Sequence, residues 1–237
     1  MERQMLDGVI FDKDGTLFDF RLSWGRWTAD LLRALAPDPQ QAEILGNVIG
    51  FDIQTGNFAA DSPVIASTSY EIAEIMLPHL PGRTLTNLID QMNSLSAATT
   101  MSVAVPLAPL LTDLRARGLK IGLATNDAEV PARAHLAGAG VLSLFDFVSG
   151  CDSGYGGKPG PGQLLAFAQM FGLDPARVAM VGDSHHDLIA GRSAGMYAVA
   201  VLTGIAGAGD LAPHADVVLQ DINALPDWID RLSATVA

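Results

Sequence analysis

Two carboxylates separated by one residue, Asp12 and Asp14 in the run Asp12-Lys13-Asp14-Gly15-Thr16, follow directly on the apolar segment Leu6 to Phe11. An extended exit from such a strand points the first carboxylate at a bound substrate, and a tight turn at Gly15 brings the second back beside it. The pair suits a reaction in which one carboxylate attacks while the other moves a proton. A solvent-exposed acidic turn has the same composition, so other residues must decide. A second cluster, Gly182-Asp183-Ser184-His185-His186-Asp187, also follows an apolar run. A helix starting at Ser184 or His185 returns Asp187 toward the cavity that Asp183 enters. Carboxylates converging from two strand ends repel each other and take up protons unless a hard cation joins them, which makes Mg²⁺ the expected metal. Zinc would need His185 and His186 to face one ion, yet adjacent helical residues diverge by about 100°. The histidine pair is expected to supply polarity at the surface or near a substrate loop.

Two further sites carry alternatives. Thr125-Asn126 ends an apolar run, where a hydroxyl and backbone N–H groups suit phosphate oxygens; the same residues suit the cap of a helix beginning near Ala128. Lys158 follows Gly156-Gly157 in a chain with three lysines. It suits neutralisation of a phosphate and an attacking carboxylate together, or it is a solvated loop charge. Arg21 and Arg26 are candidates for recognising a second anionic group on a substrate, with ordinary solvated or salt-bridging roles as the alternative.

The elements that must position these residues are short apolar strands at Leu6–Phe11, Leu119–Ala124, Phe145–Ser149, Val178–Val181, Met196–Val201 and Val217–Leu219. Segments with helical spacing lie between them, at Pro106–Arg117, Ala128–Ala137, Pro161–Phe171 and His185–Ala194. This alternation predicts an α/β fold with a mostly parallel sheet between helices. From about Phe18 to Thr100 the spacing reads as helical throughout, with Trp24, Trp27, Leu31, Leu32 and Leu35 on one face, then Ile72, Ile75, Met76 and Leu77, then Leu85, Leu88, Ile89, Met92 and Leu95. The expected division is a core of residues 1–18 and 101–237 and a helical insert of residues 19–100, with hinges near Asp19 and in Ala98–Pro106; a second packing layer has the same periodicity. The glycines of Gly204–Gly209 suggest a mobile loop, not a dinucleotide fingerprint.

Composition narrows the partners. At 237 residues there is room for a large core with a smaller companion. A net charge of −12 with 49% hydrophobic residues describes an acidic globular surface, which disfavours nucleic acid and anionic lipid while leaving room for one small phosphorylated molecule at a local cation. No apolar run is long enough to span a membrane. One cysteine, Cys151, allows no internal disulfide, and the opening Glu2-Arg3-Gln4 is unlike a signal peptide, so the cytoplasm is the expected compartment. Neither an oligomeric partner nor a role for Cys151 follows from sequence.

Taken together, Asp12-Lys13-Asp14-Gly15-Thr16-Leu17, Thr125-Asn126, Lys158-Pro159 and Gly182-Asp183-Ser184-His185-His186-Asp187 resemble, in kind and order, the motifs of the haloacid dehalogenase-like hydrolase superfamily. The insert resembles the α-helical cap of its phosphoglycolate phosphatase-like branch. The resemblance implies a Rossmann-like core with a mobile cap, Asp12 as nucleophile and Asp14 as general acid and base. It further implies Mg²⁺ held by Asp12, the Asp14 backbone carbonyl and Asp183 with Asp187 in support, and Thr125, Asn126 and Lys158 around the phosphate. Asp14 separates the chain from the dehalogenases, which lack that carboxylate, and the lack of any lysine from Phe18 to Met101 separates it from the phosphonate hydrolases. Phosphoglycolate is the leading small substrate by resemblance. A sugar-phosphate mutase and a catalytically idle, protein-binding member are the alternatives.

Overall fold

Period-2 alternation in the first strand sets the layers. In β1 (Gly8–Phe11), Val9 and Phe11 enter one apolar cluster and Ile10 enters another. The computed structural model describes residues 6–234 except Pro37 and Ala60; the Glu2-Arg3-Gln4 opening lies outside them. The main sheet joins β1 to β4 (Lys120–Ala124), β5 (Phe147–Ser149), β6 (Val178–Gly182), β7 (Tyr197–Val201) and β8 (Val217–Leu219), in the order β5-β4-β1-β6-β7-β8. Every pairing in it is parallel. One face packs on α5 (Leu107–Ala116), α6 (Glu129–Gly138) and α10 (Leu225–Ala234) through Leu111, Leu136 and Trp228. The other face packs on α7 (Gly162–Phe171) and α8 (His185–Ser193) through Phe167 and Ala190, and α9 (Ala208–Leu211) adds Leu211 against Leu188 and Ala200. The expected α/β class therefore holds. Because β1 lies between β4 and β6, the strands preceding Asp12, Thr125 and Asp183 are neighbours, and their carboxyl ends open on one crevice.

Between β1 and β4 stand α1 (Phe20–Leu35), α2 (Pro39–Val48), α3 (Ser69–Met76) and α4 (Leu85–Ala97). Asp38 caps α2, accepting from Gln40 N at 3.2 Å, and the other starts have equally local reasons. Asp19 caps α1 by accepting from Leu22 N at 2.9 Å, Thr68 and Glu71 form a capping box on α3, and Thr84 Oγ1 accepts from Asn87 N at the start of α4. Trp24, Trp27, Leu31, Leu32, Leu35, Ile72, Met76, Leu88 and Met92 form a separate apolar cluster, whereas Ile75, expected on the same face, is exposed. The two crossings pair side by side: Asp19 N donates to Ser102 O at 2.8 Å and Ala104 N to Leu17 O at 2.9 Å.

The reading of this region as helical throughout needs one correction. Residues Phe51–Asp52 (β2) and Asn57–Phe58 (β3) form a small antiparallel ribbon. The Asp52 carboxylate accepts from Gln54 N and Thr55 N, and Gly56, at φ +72°, closes the turn. Such local bonds compete with helix, and two-residue strands leave no periodic signal. Among the described residues, no helix is long and apolar enough to cross a membrane.

Candidate active site

The crevice gathers charge from two neighbouring strand ends, one helix start and one loop. Asp12, whose N–H donates to Val181 O at 2.8 Å, leaves β1, and Asp183 follows β6. Asp187 sits in the first turn of α8, where one carboxylate oxygen accepts from Ser184 N at 3.0 Å and Ser184 Oγ at 2.7 Å. Its other oxygen faces Lys158 Nζ at 2.6 Å, and the same ammonium meets Asp12 Oδ1 at 2.5 Å. Lys158 is therefore a buried, doubly paired cation and not a solvated loop charge.

Three buried carboxylates crowd one ammonium that pairs with two of them, and burial with like charge nearby raises the pKa of Asp12 and Asp183. Burial, with Asp12 and Asp187 close by, lifts Asp183 well above the usual carboxylate range. Burial also raises Asp12 to about 7, Lys158 offsetting part of the effect and Asp187 and Asp14 adding to it. Burial opposes the charge of Lys158, but Asp12 and Asp187 outweigh it and raise its pKa. Asp12, Asp183 and Asp187 each offer an oxygen within 4.8 Å of the others. An all-oxygen set with excess negative charge fits a hard divalent cation. Glycines form its walls: a Cβ on Gly15 or Gly204 would overlap the Asp183 carboxylate, and one on Gly182 would overlap Asp187.

Thr125 is buried at the end of β4, and its Oγ1 accepts from Asp127 N at 3.1 Å, so it caps the local turn and not α6, whose cap position is Ala128. Asn126 does not cap the helix either. Its amide donates to Lys158 O and to Ala66 O, each at 2.8 Å, and accepts from Lys158 N at 2.8 Å. Both amide hydrogens are committed, so this side chain orients the Lys158 loop and ties it to the insert.

Sequence reasoning missed a second buried network. Lys13 is fully buried, with Nζ 2.9 Å from Asp14 Oδ2, 3.0 Å from Asp127 Oδ2 and 3.1 Å from His135 Nδ1. The available signal was a lysine between two aspartates in a lysine-poor chain. Asp127 and His135 belong to no motif, and only folding brings them together.

The cavity encloses ≈ 670 Å³ counting its open mouth. Asp12, Asp14, Thr125, Asn126, Lys158, Asp183 and Asp187 line one side, and Phe20, Trp24, Trp27, Val64, Ile72 and Met92 line the other, with Ser67, Ser69 and Asn93 among them. The indole N–H groups of Trp24 and Trp27 are buried and meet no acceptor among the described residues. Arg21 and Arg26 are not brought to this cavity. Both lie on the exposed side of α1, and Arg26, 87% exposed at its side chain, only approaches Asp30 at 3.9 Å. They are five residues apart on a helix whose other face carries Trp24, Trp27 and Leu31 into the core. His186 lines the cavity, while His185 donates from Nε2 to Asp210 O and packs edge-on against His214. Cys151 lies outside the lining, and burial, with Asp152 and Asp127 nearby, pushes its thiol up to about 11.

Comparison with known proteins places this geometry. A family model described as haloacid dehalogenase-like hydrolase matches residues 6–195. A phosphoglycolate phosphatase of Rhodospirillum rubrum is 36% identical over 135 residues, 54% of this chain and 56% of that protein, so the chain spans little more than half of that relative. The Dickeya dadantii protein named "Probable phosphatase IndB" is 31% identical over 206 residues, 83% of this chain and 81% of that protein. Among solved structures, CbbY of Rhodobacter sphaeroides, crystallised with phosphate, superposes with a TM-score of 0.71 over 93% of this chain and 96% of its own at 18% identity, a likeness of fold.

Proposed function

Because the chain belongs to the haloacid dehalogenase-like hydrolases, in the branch resembling the phosphoglycolate phosphatases, we propose that it hydrolyses a small phosphomonoester through an aspartyl phosphate on Asp12, with phosphoglycolate as the leading substrate. The observation that carries this reading is the buried cluster of Asp12, Asp183 and Asp187 around Lys158 at the carboxyl end of the sheet. We assign residues 1–18 and 101–237 to the catalytic core and residues 19–100 to a cap over the cavity.

Asp12 attacks phosphorus in line, and the bond from phosphorus to the leaving oxygen breaks as Asp14 gives that oxygen its proton. Asp14, now a carboxylate, takes a proton from water; the water oxygen attacks phosphorus, the bond to Asp12 breaks, and phosphate leaves. Asp12, the Asp14 carbonyl and Asp183 are assigned to hold Mg²⁺, with Asp187 in support. When bound, the ion supplies charge neutralisation for the nucleophile and the phosphate oxygens. Thr125 and Lys158 receive the transferring phosphoryl oxygens, and Asn126 keeps Lys158 in place. The apolar wall of the insert excludes water from the first transfer. The unpartnered indoles of Trp24 and Trp27 offer hydrogen bonds to an acceptor on the leaving group, the role for which Arg21 and Arg26 are misplaced.

The test is phosphate release from a broad panel of phosphorylated metabolites, with Mg²⁺, with EDTA, and with Asp12→Asn as control. Release that vanishes in both controls supports the reading; isomerisation of sugar phosphates with little release would replace it with a mutase.

A further inference from the structure

Three hydrogens of one ammonium meet three acceptors at Lys13: Asp14, Asp127 and His135 Nδ1. An ammonium has no lone pair, so His135 accepts at Nδ1 and its hydrogen lies on Nε2. That Nε2–H donates to Ser96 O at 2.7 Å. Ser96 belongs to the last turn of α4, and its own hydroxyl donates to Asp127 Oδ2 at 3.3 Å. Lys13, His135 and Ser96 are all buried, and the Lys13 ammonium also stands 5.0 Å over the Trp24 ring, which lines the cavity. The chain of contacts therefore runs from Asp14 through Lys13 and His135 to the base of α4 in the insert.

We propose that Lys13 and His135 are positioning residues that fix the direction of the Asp14 carboxylate and tie it to the seating of α4 on the core. The inference rests on the assignment of Asp14 as the acid and base of phosphoester hydrolysis. His135 orients one ammonium hydrogen, the other two are thereby aimed at Asp14 and Asp127, and a carboxyl group held from one side gives its proton, and as the carboxylate later takes one from water, along one line. Displacement of α4 would remove the acceptor at Ser96 O and release His135, so the readiness of Asp14 follows the docking of the insert.

The discriminating readout is the leaving group. An alkyl phosphate needs a proton from Asp14 in the first step, whereas p-nitrophenyl phosphate loses a stable anion and does not. Rapid-quench bursts of leaving-group release are compared for the wild type, His135→Leu and His135→Asn, all with Mg²⁺. His135→Leu is expected to slow the alkyl burst by about 10- to 100-fold while the nitrophenol burst changes by less than about 3-fold. The later release of phosphate, which needs Asp14 as base, slows alike for both substrates. His135→Asn keeps an acceptor near the Nδ1 position and restores most of the alkyl burst. Equal slowing of both bursts, or none, overturns the inference while leaving the phosphatase reading standing. Failure of the wild type to hydrolyse either ester sinks that reading and this one with it.

Discussion

Gly204 stands directly against the carboxylate of Asp183, so closely that a Cβ at position 204 would overlap Oδ2. The first prediction follows from this contact. In Gly204→Ala the Asp183 carboxylate must turn away, which raises the Mg²⁺ concentration for half-maximal activity while leaving the substrate KM nearly unchanged. Gly207→Ala, where the nearest atom lies at 3.5 Å, is the control. Unchanged metal dependence in Gly204→Ala would show that Asp183 does not serve the ion.

The apolar wall and the outer face of α1 give opposite expectations. If the buried, unpartnered indole N–H of Trp27 serves the leaving group as proposed, Trp27→Phe should raise KM by about 2- to 10-fold, the worth of one ordinary hydrogen bond. Arg21→Ala and Arg26→Ala should change KM by less than about 2-fold, because exposed charges so weakly paired contribute little. Steady-state kinetics on the best substrate checks both; a large KM effect at Arg26 would return anion recognition to that residue.

Much of this layout was legible before folding. Apolar runs closed by Asp12, Thr125 and Asp183 announced three strand ends, because a buried strand leaves no choice of polarity along its length while its exit must turn polar. The helical spacing of Trp24, Trp27, Leu31 and Leu35 likewise foretold a buried face. What stayed hidden depends on long-range contact. The partnership of Lys13 with His135 joins residues 122 positions apart, and the β2–β3 ribbon rests on side-chain bonds of Asp52 within a turn. The placement of Arg21 and Arg26 outside the cavity lining was equally hidden, because charge reveals affinity for an anion but not which face of α1 meets the cavity.

His135 makes stability depend on pH in a stated direction. Burial and the neighbouring Lys13 charge hold its pKa below 6.5, so the unfolded chain takes up a proton that the folded state resists. Stability is thus complete above about pH 6.5 and is lost as pH falls toward the lower folded value. The melting temperature of the wild type should fall relative to that of His135→Asn between pH 7.5 and 5.5. A constant gap between the two would contradict a neutral, buried imidazole.

Lys13 is expected to be less forgiving. Removing the fully buried cation leaves Asp14 and Asp127, partly buried at the cavity wall, uncompensated, at a cost of up to about 3–5 kcal/mol. That is a large part of the stability of an ordinary domain. Chemical denaturation of Lys13→Met should show a loss of that order, and a loss below about 1 kcal/mol would mean that water reaches the network.

Cys151 provides a probe outside the cavity lining. With its thiol raised to about 11, chiefly by burial, thiolate is scarce at neutral pH. Iodoacetamide should label it slowly at pH 7.5, at a rate still rising at pH 10. Rapid labelling at pH 7.5 would place the thiol in a more open setting.

The covalent role of Asp12 is the centre of the account and has a direct measurement. Asp14→Asn is mixed with Mg²⁺ and p-nitrophenyl phosphate, a substrate whose leaving anion needs no proton from Asp14, and quenched in acid; the protein is reduced with borohydride, and the peptide containing position 12 is weighed. Loss of the base for the second step should let the aspartyl phosphate accumulate, so reduction converts Asp12 to homoserine only when substrate and metal are both present. Phosphate release by the wild type with Asp12 never modified, in either protein, would contradict nucleophilic catalysis by Asp12.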